Sequence, residues 1–279
     1  MTIEQFIKQA QFALAASPSP RLDTEVLVMH VTGLTRAQLI TRAEQVLSAD
    51  QEQNLNSLLA RRAQGEPIAY LTGQREFWSM ALRVTPDVLI PRPETELLVE
   101  QALARIPQDT EWTIADLGTG SGAIALAIAK ERPRCHVVAT DTSERALAVA
   151  RANAMRLGIR NIEFRQGEWF APLGGRQFDI IVSNPPYVAA NDPHLGEGDV
   201  RFEPRAALVS GRDGLDAIRT IATSAGAHLK PGGWLLLEHG YDQSGVIAQL
   251  LKSAGYGQTA LYRDLAGQPR ISAICRDSD

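Results

Sequence analysis

The sequence predicts two parts: a small helical bundle, then an α/β domain in which a mostly parallel sheet carries helices on both faces. Three observations predict it. Across residues 1–72 apolar residues recur at helical spacing between capping signals. From Trp112 onward strand-like and helix-like segments alternate, the rhythm of a doubly wound sheet. A glycine-rich turn stands where the first of those strands meets the first of those helices.

The elements follow in order. Ile3, Phe6, Ile7, Ala10 and Leu14 share one helical face, and Thr2 with Gln5 fits a capping box. Ser17-Pro18-Ser19-Pro20 breaks that helix; Ser19 as cap and Pro20 as first helical residue open the next, which Gly33 ends. A short helix fits 36–41. Ser48 with Gln51 repeats the capping signature, and Leu55, Leu58 and Leu59 make the stripe of a helix that stops at Gly65-Glu66-Pro67. From 68 to 91 the character changes: Tyr70-Leu71-Thr72-Gly73 and the run from Phe77-Trp78 to Val84 suggest extended backbone. Residues 73–91 are thus expected as a linker, with a β-hairpin in it. Pro91-Arg92-Pro93 opens a helix with Glu94 and Glu96 in its first turn, where the helix dipole favours acids, and starts a second domain, 92–279. Strands are predicted at 113–117, 136–140, 162–165, 179–183 and 234–238, helices at 123–130, 144–157 and 215–228, and closing strands near 258–262 and 271–275.

With 279 residues and 44% hydrophobic content the chain can bury two cores. The net charge of −4 does not favour nucleic acid as main partner, since phosphate neutralisation calls for basic surface. Two cysteines, Cys135 and Cys275, form no CxxC pair, and the five histidines are scattered singly, so no metal is expected. Glu4 and Lys8 interrupt the first apolar residues, and no stretch approaches a membrane span. A cytoplasmic monomer is expected.

Asp116-Leu117-Gly118-Thr119-Gly120-Ser121-Gly122 ends a strand and opens a helix. Glycine lets the backbone turn sharply and approach a ligand, and the helix N-terminus offers free N–H groups that suit a carboxylate or a phosphate. The next strand ends at Asp141, either an acceptor for two ribose hydroxyls or a plain helix cap. The glycines, Gly118, Gly120 and Gly122, depart from the GxGxxG dinucleotide fingerprint, and Asp116 is placed to meet a cationic amino group. This combination resembles class I S-adenosylmethionine-dependent methyltransferases, which implies a Rossmann-like sheet. Trp169, after the third strand, either packs on the adenine or is a core aromatic.

Asn184-Pro185-Pro186-Tyr187 follows the apolar strand Ile180-Ile181-Val182-Ser183, where doubly wound sheets bind ligands. An amide or aromatic amino nitrogen is a poor nucleophile with two hydrogens to satisfy. The Asn184 side-chain oxygen can accept one, and the Pro185 carbonyl the other, which aligns the nitrogen and stabilises its growing positive charge. The prolines Pro185 and Pro186 stiffen the loop. Tyr187 can stack on the planar group or screen it from water. Asn184 cannot act as a base at neutral pH, so it orients and the proton leaves to water.

Together with Gly65-Glu66-Pro67-Ile68-Ala69-Tyr70-Leu71-Thr72-Gly73, Arg75-Glu76-Phe77-Trp78, Leu89-Ile90-Pro91-Arg92-Pro93-Glu94-Thr95-Glu96 and Arg201-Phe202-Glu203-Pro204, these motifs resemble the release factor glutamine methyltransferases, the PrmC/HemK family, over nearly the whole chain. The resemblance implies a protein substrate: the GGQ glutamine amide of class-1 peptide chain release factors, methylated from S-adenosylmethionine with S-adenosylhomocysteine as product. It assigns cofactor contacts to Gly118–Gly122, Asp141 and Trp169, and glutamine contacts to Asn184–Tyr187. It gives the N-terminal helices a role in recognising the release factor, against the plainer reading that they stabilise the catalytic half. Residues 191–212 are either a flap over the substrate or a surface loop. The competing readings are an adenine amino methyltransferase acting on DNA or RNA, which needs a basic channel for a flipped base, and a non-catalytic cofactor-binding module. A nicotinamide dehydrogenase fits the fold but not the glycine spacing.

Overall fold

The computed structural model describes residues 1–277; the last two residues of the expected second domain, 278 and 279, lie outside them. Contacts divide the chain into one unit of Met1–Gln74 with His194–Phe202, and another of Arg75–Pro193 with Glu203 onward.

The first unit holds α1 (Ile3–Ala13), α2 (Pro20–Thr32), α3 (Arg36–Thr41), α4 (Ala49–Ala63) and α5 (Ile68–Thr72). Thr2/Gln5, Thr35/Gln38 and Ser48/Gln51 form reciprocal capping boxes at α1, α3 and α4. Ile3, Phe6, Ala10, Leu27, Val28, Leu39, Leu47, Leu55 and Leu71 make one core. The expectation of extended backbone at 70–73 fails: these residues form α5 and its cap, Gly73, at φ 69°. The short run of apolar residues there carries no period of its own, and burying Ala69, Tyr70 and Leu71 decides for the helix. Arg62, buried, binds Asp23 at 2.8 Å and Asp199 at 2.9 Å, and Arg201 donates to the Gln64 carbonyl at 2.6 Å. Those bonds attach the middle of the 191–212 segment to the helical unit.

The second unit begins with the hairpin β1 (Gln74–Phe77) and β2 (Met80–Arg83). Its turn residues Trp78 and Ser79 both have φ 52°, the left-handed conformation that a tight two-residue hairpin demands. Side chains hold them there: the Trp78 amide donates to Glu96 at 2.8 Å, its indole to Glu131 at 3.1 Å, and the Ser79 amide to Glu76 at 2.6 Å. A 3₁₀ turn, Pro93–Thr95, leads into α6 (Glu96–Leu103). Then come β3 (Thr113–Leu117), α7 (Ala123–Glu131), β4 (His136–Asp141), α8 (Glu144–Leu157), β5 (Ile162–Gln166), β6 (Phe178–Ser183), α9 (Asp216–His228), β7 (Leu229–Glu238), α10 (Ser244–Ser253), β8 (Ala260–Arg263) and β9 (Pro269–Cys275).

The seven-stranded sheet has the order β5-β4-β3-β6-β7-β9-β8. Neighbours from β5 to β7 run parallel, and β9 is antiparallel to both its neighbours. One face is covered by α6, α7 and the hairpin's Phe77, Met80 and Leu82. The other buries Ile218, Ile221 and Ala222 of α9 with Ile247 and Leu251 of α10. This is the Rossmann-like α/β architecture. Among the described residues no helix is long and apolar enough to cross a membrane.

Candidate active site

The chain leaves β3 for β4 on one side and returns through β6 on the other. The carboxyl ends of β3 and β6 therefore flank the switch point of the sheet, where such folds open a crevice. A cavity of about 430 Å³ lies there. Of the residues singled out in the sequence, Gly118, Thr119, Gly120, Ser121, Asp141, Trp169, Asn184 and Pro186 line it, and Asp116, Gly122, Pro185 and Tyr187 do not.

The glycine turn is bound on both sides. The amides of Gly118 and Thr119 both donate to the Thr140 carbonyl at 2.9 Å, and the Gly120 amide donates to Asp141 Oδ2 at 2.9 Å. Behind the turn, the buried Asn153 donates to the carbonyls of Ser121 at 2.9 Å and Arg83 at 3.0 Å. Gly118 has φ 74°, and a Cβ there would stand 3.5 Å from the Trp169 ring. The turn thus passes directly under an indole, and its positive φ is what favours glycine there. Trp169 itself has φ 45°, a strained conformation for a bulky side chain, found at sites where a ring must face a particular way.

Two carboxylates serve this end. Asp141 Oδ1 accepts from the Ser143 amide at 2.9 Å, so it caps the approach to α8 while lining the cavity. Each oxygen keeps a lone-pair site for a further donor. Burial raises its pKa, held back by the amides of Ser143, Gly120 and Thr142. Asp116 is wholly buried behind the turn. Its Oδ2 accepts from the Thr119 hydroxyl at 2.6 Å, and its Oδ1 has no hydrogen-bond partner among the described residues. Burial pushes it up to about 7 against the pull of Thr119 and the Ala125 amide. An orphaned, destabilised carboxylate behind a lining hydroxyl fits a cationic ligand group better than an anionic one.

At the other end Ser183 Oγ donates to the Leu117 carbonyl at 2.7 Å, tying the end of β6 to the end of β3. Asn184 Nδ2 donates to Thr95 Oγ1 at 3.1 Å, and both side chains lie close enough to the buried carboxylate of Glu238 to pull its pKa down. The Tyr187 carbonyl accepts from Gln243 Nε2 at 3.0 Å. Gly214, at φ 78°, lies so close that a Cβ would stand 2.3 Å from that carbonyl. Burial pushes the Tyr187 phenol well above its usual range, so it stays protonated. Past the tetrapeptide, Val188 and Ala190 pair with the backbone of 208–211, and Ala206, Ala207, Val209, Ser210 and Gly211 line the cavity. Glu203 accepts from the Ile90 amide at 3.2 Å and from Arg92, fixing the start of that wall.

Thr95 stands in the sequence only within a motif and without a role of its own, and Glu238, Asn153, Gly214 and Gln243 were not singled out. For Glu238 a signal existed: like Asp116 and Asp141, it is an acid at the carboxyl end of an apolar strand. Among the described residues no cluster of histidine, cysteine, aspartate and glutamate could hold a metal.

A family profile described as "PrmC N-terminal domain" matches residues 5–73, and one described as "Methyltransferase small domain" matches 93–197. The chain is 51% identical over 272 residues to the release factor glutamine methyltransferase of Salmonella typhimurium, covering 98% of each. It is 49% identical over 273 residues to that of Escherichia coli K12, again covering 98% of each. Among solved structures it is similar in fold to a 16S rRNA methyltransferase of T. thermophilus in complex with AdoMet and guanosine: TM-score 0.55, 19% identity, 73% of this chain and 49% of that one.

Proposed function

This chain belongs to the release factor glutamine methyltransferase family, and on that premise we propose that it methylates the side-chain amide of the GGQ glutamine of class-1 peptide chain release factors, modulating translation termination. As a member of a methyltransferase family it uses S-adenosylmethionine. The observation that carries the reading is that the glycine turn and Asn184 open on one cavity.

The cofactor supplies a methyl group on a sulfonium. The residues Gly118 to Gly122, with Asp141 and Trp169, would hold it: the N-terminus of α7 would suit its carboxylate, Asp141 its ribose hydroxyls and Trp169 its adenine. Asp116, behind Thr119, contributes negative charge toward the amino group. Asn184 Oδ1 and the Pro185 carbonyl accept the two hydrogens of the glutamine amide. They fix the direction of its lone pair and stabilise the positive charge that grows on nitrogen. Pro185 and Pro186 keep that loop stiff, and Tyr187 shields the planar amide. An asparagine amide cannot act as a base at neutral pH, so the proton passes to water. The helical unit, 1–72, extends recognition of the release factor beyond the glutamine. A substrate used in translation calls for an enzyme in the cytoplasm, where we take it to act as a monomer.

The test uses purified protein, tritiated cofactor, release factor from cells lacking this protein, and DNA and RNA in parallel. Label is expected in the release factor alone, on the GGQ glutamine by mass spectrometry. Label in nucleic acid but not in release factor overturns the proposal in favour of an adenine amino methyltransferase.

A further inference from the structure

The mechanism needs Asn184 to face its substrate with oxygen and not with NH2. The two ends of an asparagine amide have nearly the same shape, so what lies behind must choose between them. The wrong choice sets donors against donors and leaves the acceptor nitrogen unheld.

What lies behind is a buried acid. β6 and β7 are parallel neighbours with Ser183 opposite Leu237, so Asn184 and Glu238 leave the sheet side by side. Glu238 is 1% exposed. Asn184 Nδ2 donates to Thr95 Oγ1 at 3.1 Å, and both side chains pull down the pKa of the Glu238 carboxylate beside them, so the three groups form a triangle. An ionised carboxylate only accepts. The Thr95 hydroxyl must therefore give its proton to Glu238, which leaves Thr95 Oγ1 an acceptor for one Nδ2 hydrogen. The other Nδ2 hydrogen goes to Glu238. Both amide hydrogens of Asn184 are then used, and Oδ1 remains for the cavity, which Asn184 and Thr95 line.

We propose that Glu238, acting with Thr95, is a positioning residue that fixes the amide of Asn184 with its oxygen toward the acceptor nitrogen. This rests on the reading of Asn184 given above. A glutamine at 238 would fill the same space without the burden of a buried charge, but it both donates and accepts and so imposes no direction.

The charge of Glu238 is finely balanced. Burial pushes it up to about 7; Thr95, Arg270 on β9 and Asn184 pull down, and Glu94 in the turn before α6 pushes further up. Glu238 Oε2 has no hydrogen-bond partner among the described residues. Tyr187 faces it as a neutral phenol. His239 next to it is buried, its pKa lowered by burial, with one ring nitrogen on the Gly240 carbonyl at 2.8 Å and the other on Ser272 Oγ at 3.0 Å. Protonation of Glu238 turns an acceptor into a donor, and the triangle loses its direction.

The experiment reads Asn184 directly. In ¹⁵N-labelled full-length protein, its side-chain NH2 pair is assigned by its absence in Asn184→Asp. The pair is expected to exchange slowly with water while Glu238 is ionised, and quickly both in Glu238→Gln and on acidification through about pH 7. In turnover at saturating cofactor, Glu238→Gln and Thr95→Val are expected to lower kcat about tenfold, with cofactor affinity by calorimetry within about twofold of wild type. Thr95→Ser, which keeps the hydroxyl, recovers most of the rate, and Glu238→Gln loses the acid limb of the kcat profile. If Glu238→Gln does not fold, the Thr95 pair decides. An NH2 pair unchanged in Glu238→Gln overturns the proposal, and so does a wild-type kcat in Thr95→Val. Failure of wild-type protein to label release factor would instead strike the proposed function, and leave the exchange measurement to judge the triangle.

Discussion

The two ends of the cavity are built by different means. At the glycine turn the binding groups are largely backbone, drawn from 116–122 and the acid that ends the next strand. At Asn184 they are a side chain and a carbonyl, and the residues that aim them come from far along the chain: Thr95, Gly214, Glu238 and Gln243. A backbone site carries its instructions in its own residues. A side-chain site must be aimed by others, and each aiming residue is a separate place to break it.

The largest effect should come from the aimed group itself. Asn184→Ala removes the oxygen that orients and stabilises the amide, and is expected to lower kcat about 10²- to 10³-fold, the loss typical of one preorganised polar group. Cofactor affinity, measured by calorimetry, should fall far less. A comparable fall in both would mean that the two ends are not separable.

The opposite split is expected at the turn. Asp116→Asn keeps the Thr119 bond within reach but removes the charge behind it. Cofactor affinity should drop about 10- to 100-fold, the scale of one lost charge-assisted bond. The cofactor-free protein should melt at higher temperature, because a wholly buried carboxylate with an orphaned Oδ1 is gone. Activity and stability moving together in this variant would contradict the role given to Asp116.

Those contrasts explain what the sequence shows and what it hides. The alternation of strands and helices is legible because burial on both faces of a sheet imposes it over many residues. The glycine turn is legible because positive φ at Gly118 leaves few alternatives. α5 is not, because Ala69, Tyr70 and Leu71 are too few to show a period. At the site, Asn184 is legible from its chemistry, but Gly214 is one of 22 glycines, and nothing local marks it as the one beneath the Tyr187 carbonyl. Glu238 sits between these cases: its position at a strand end is visible, its partners are not.

Gly214→Ala sharpens the comparison at intermediate size. A Cβ at 2.3 Å from the Tyr187 carbonyl, on a residue at φ 78°, forces the tetrapeptide to move. The expected result is kcat lowered about tenfold by a small misplacement, with cofactor affinity unchanged. Unchanged kcat would mean that Tyr187 and its loop need no support from this side.

The smallest effect expected is on the pH dependence of stability without cofactor. Both ends hold an acid raised to about 7, Asp116 and Glu238. Between their ordinary range, near 4, and about 7 the folded protein holds protons that the unfolded chain has released. Stability therefore falls as pH rises through that window, and is fully retained only below it. Glu163, held down to about 2 by Arg165 and Arg176, acts the other way, losing its contribution only as pH falls below about 4, and it is partly solvated, so its weight is small. Melting curves of cofactor-free protein should thus shift down by a few degrees from pH 5 to about 7. Asp116→Asn and Glu238→Gln should each flatten part of that slope. Saturating cofactor should flatten only the Asp116 part, since a cation draws the proton from the carboxylate behind the turn and leaves the one behind Asn184 in place. Equal flattening of both parts by cofactor would show that the two acids share one site, and the division between backbone and side-chain ends would fail.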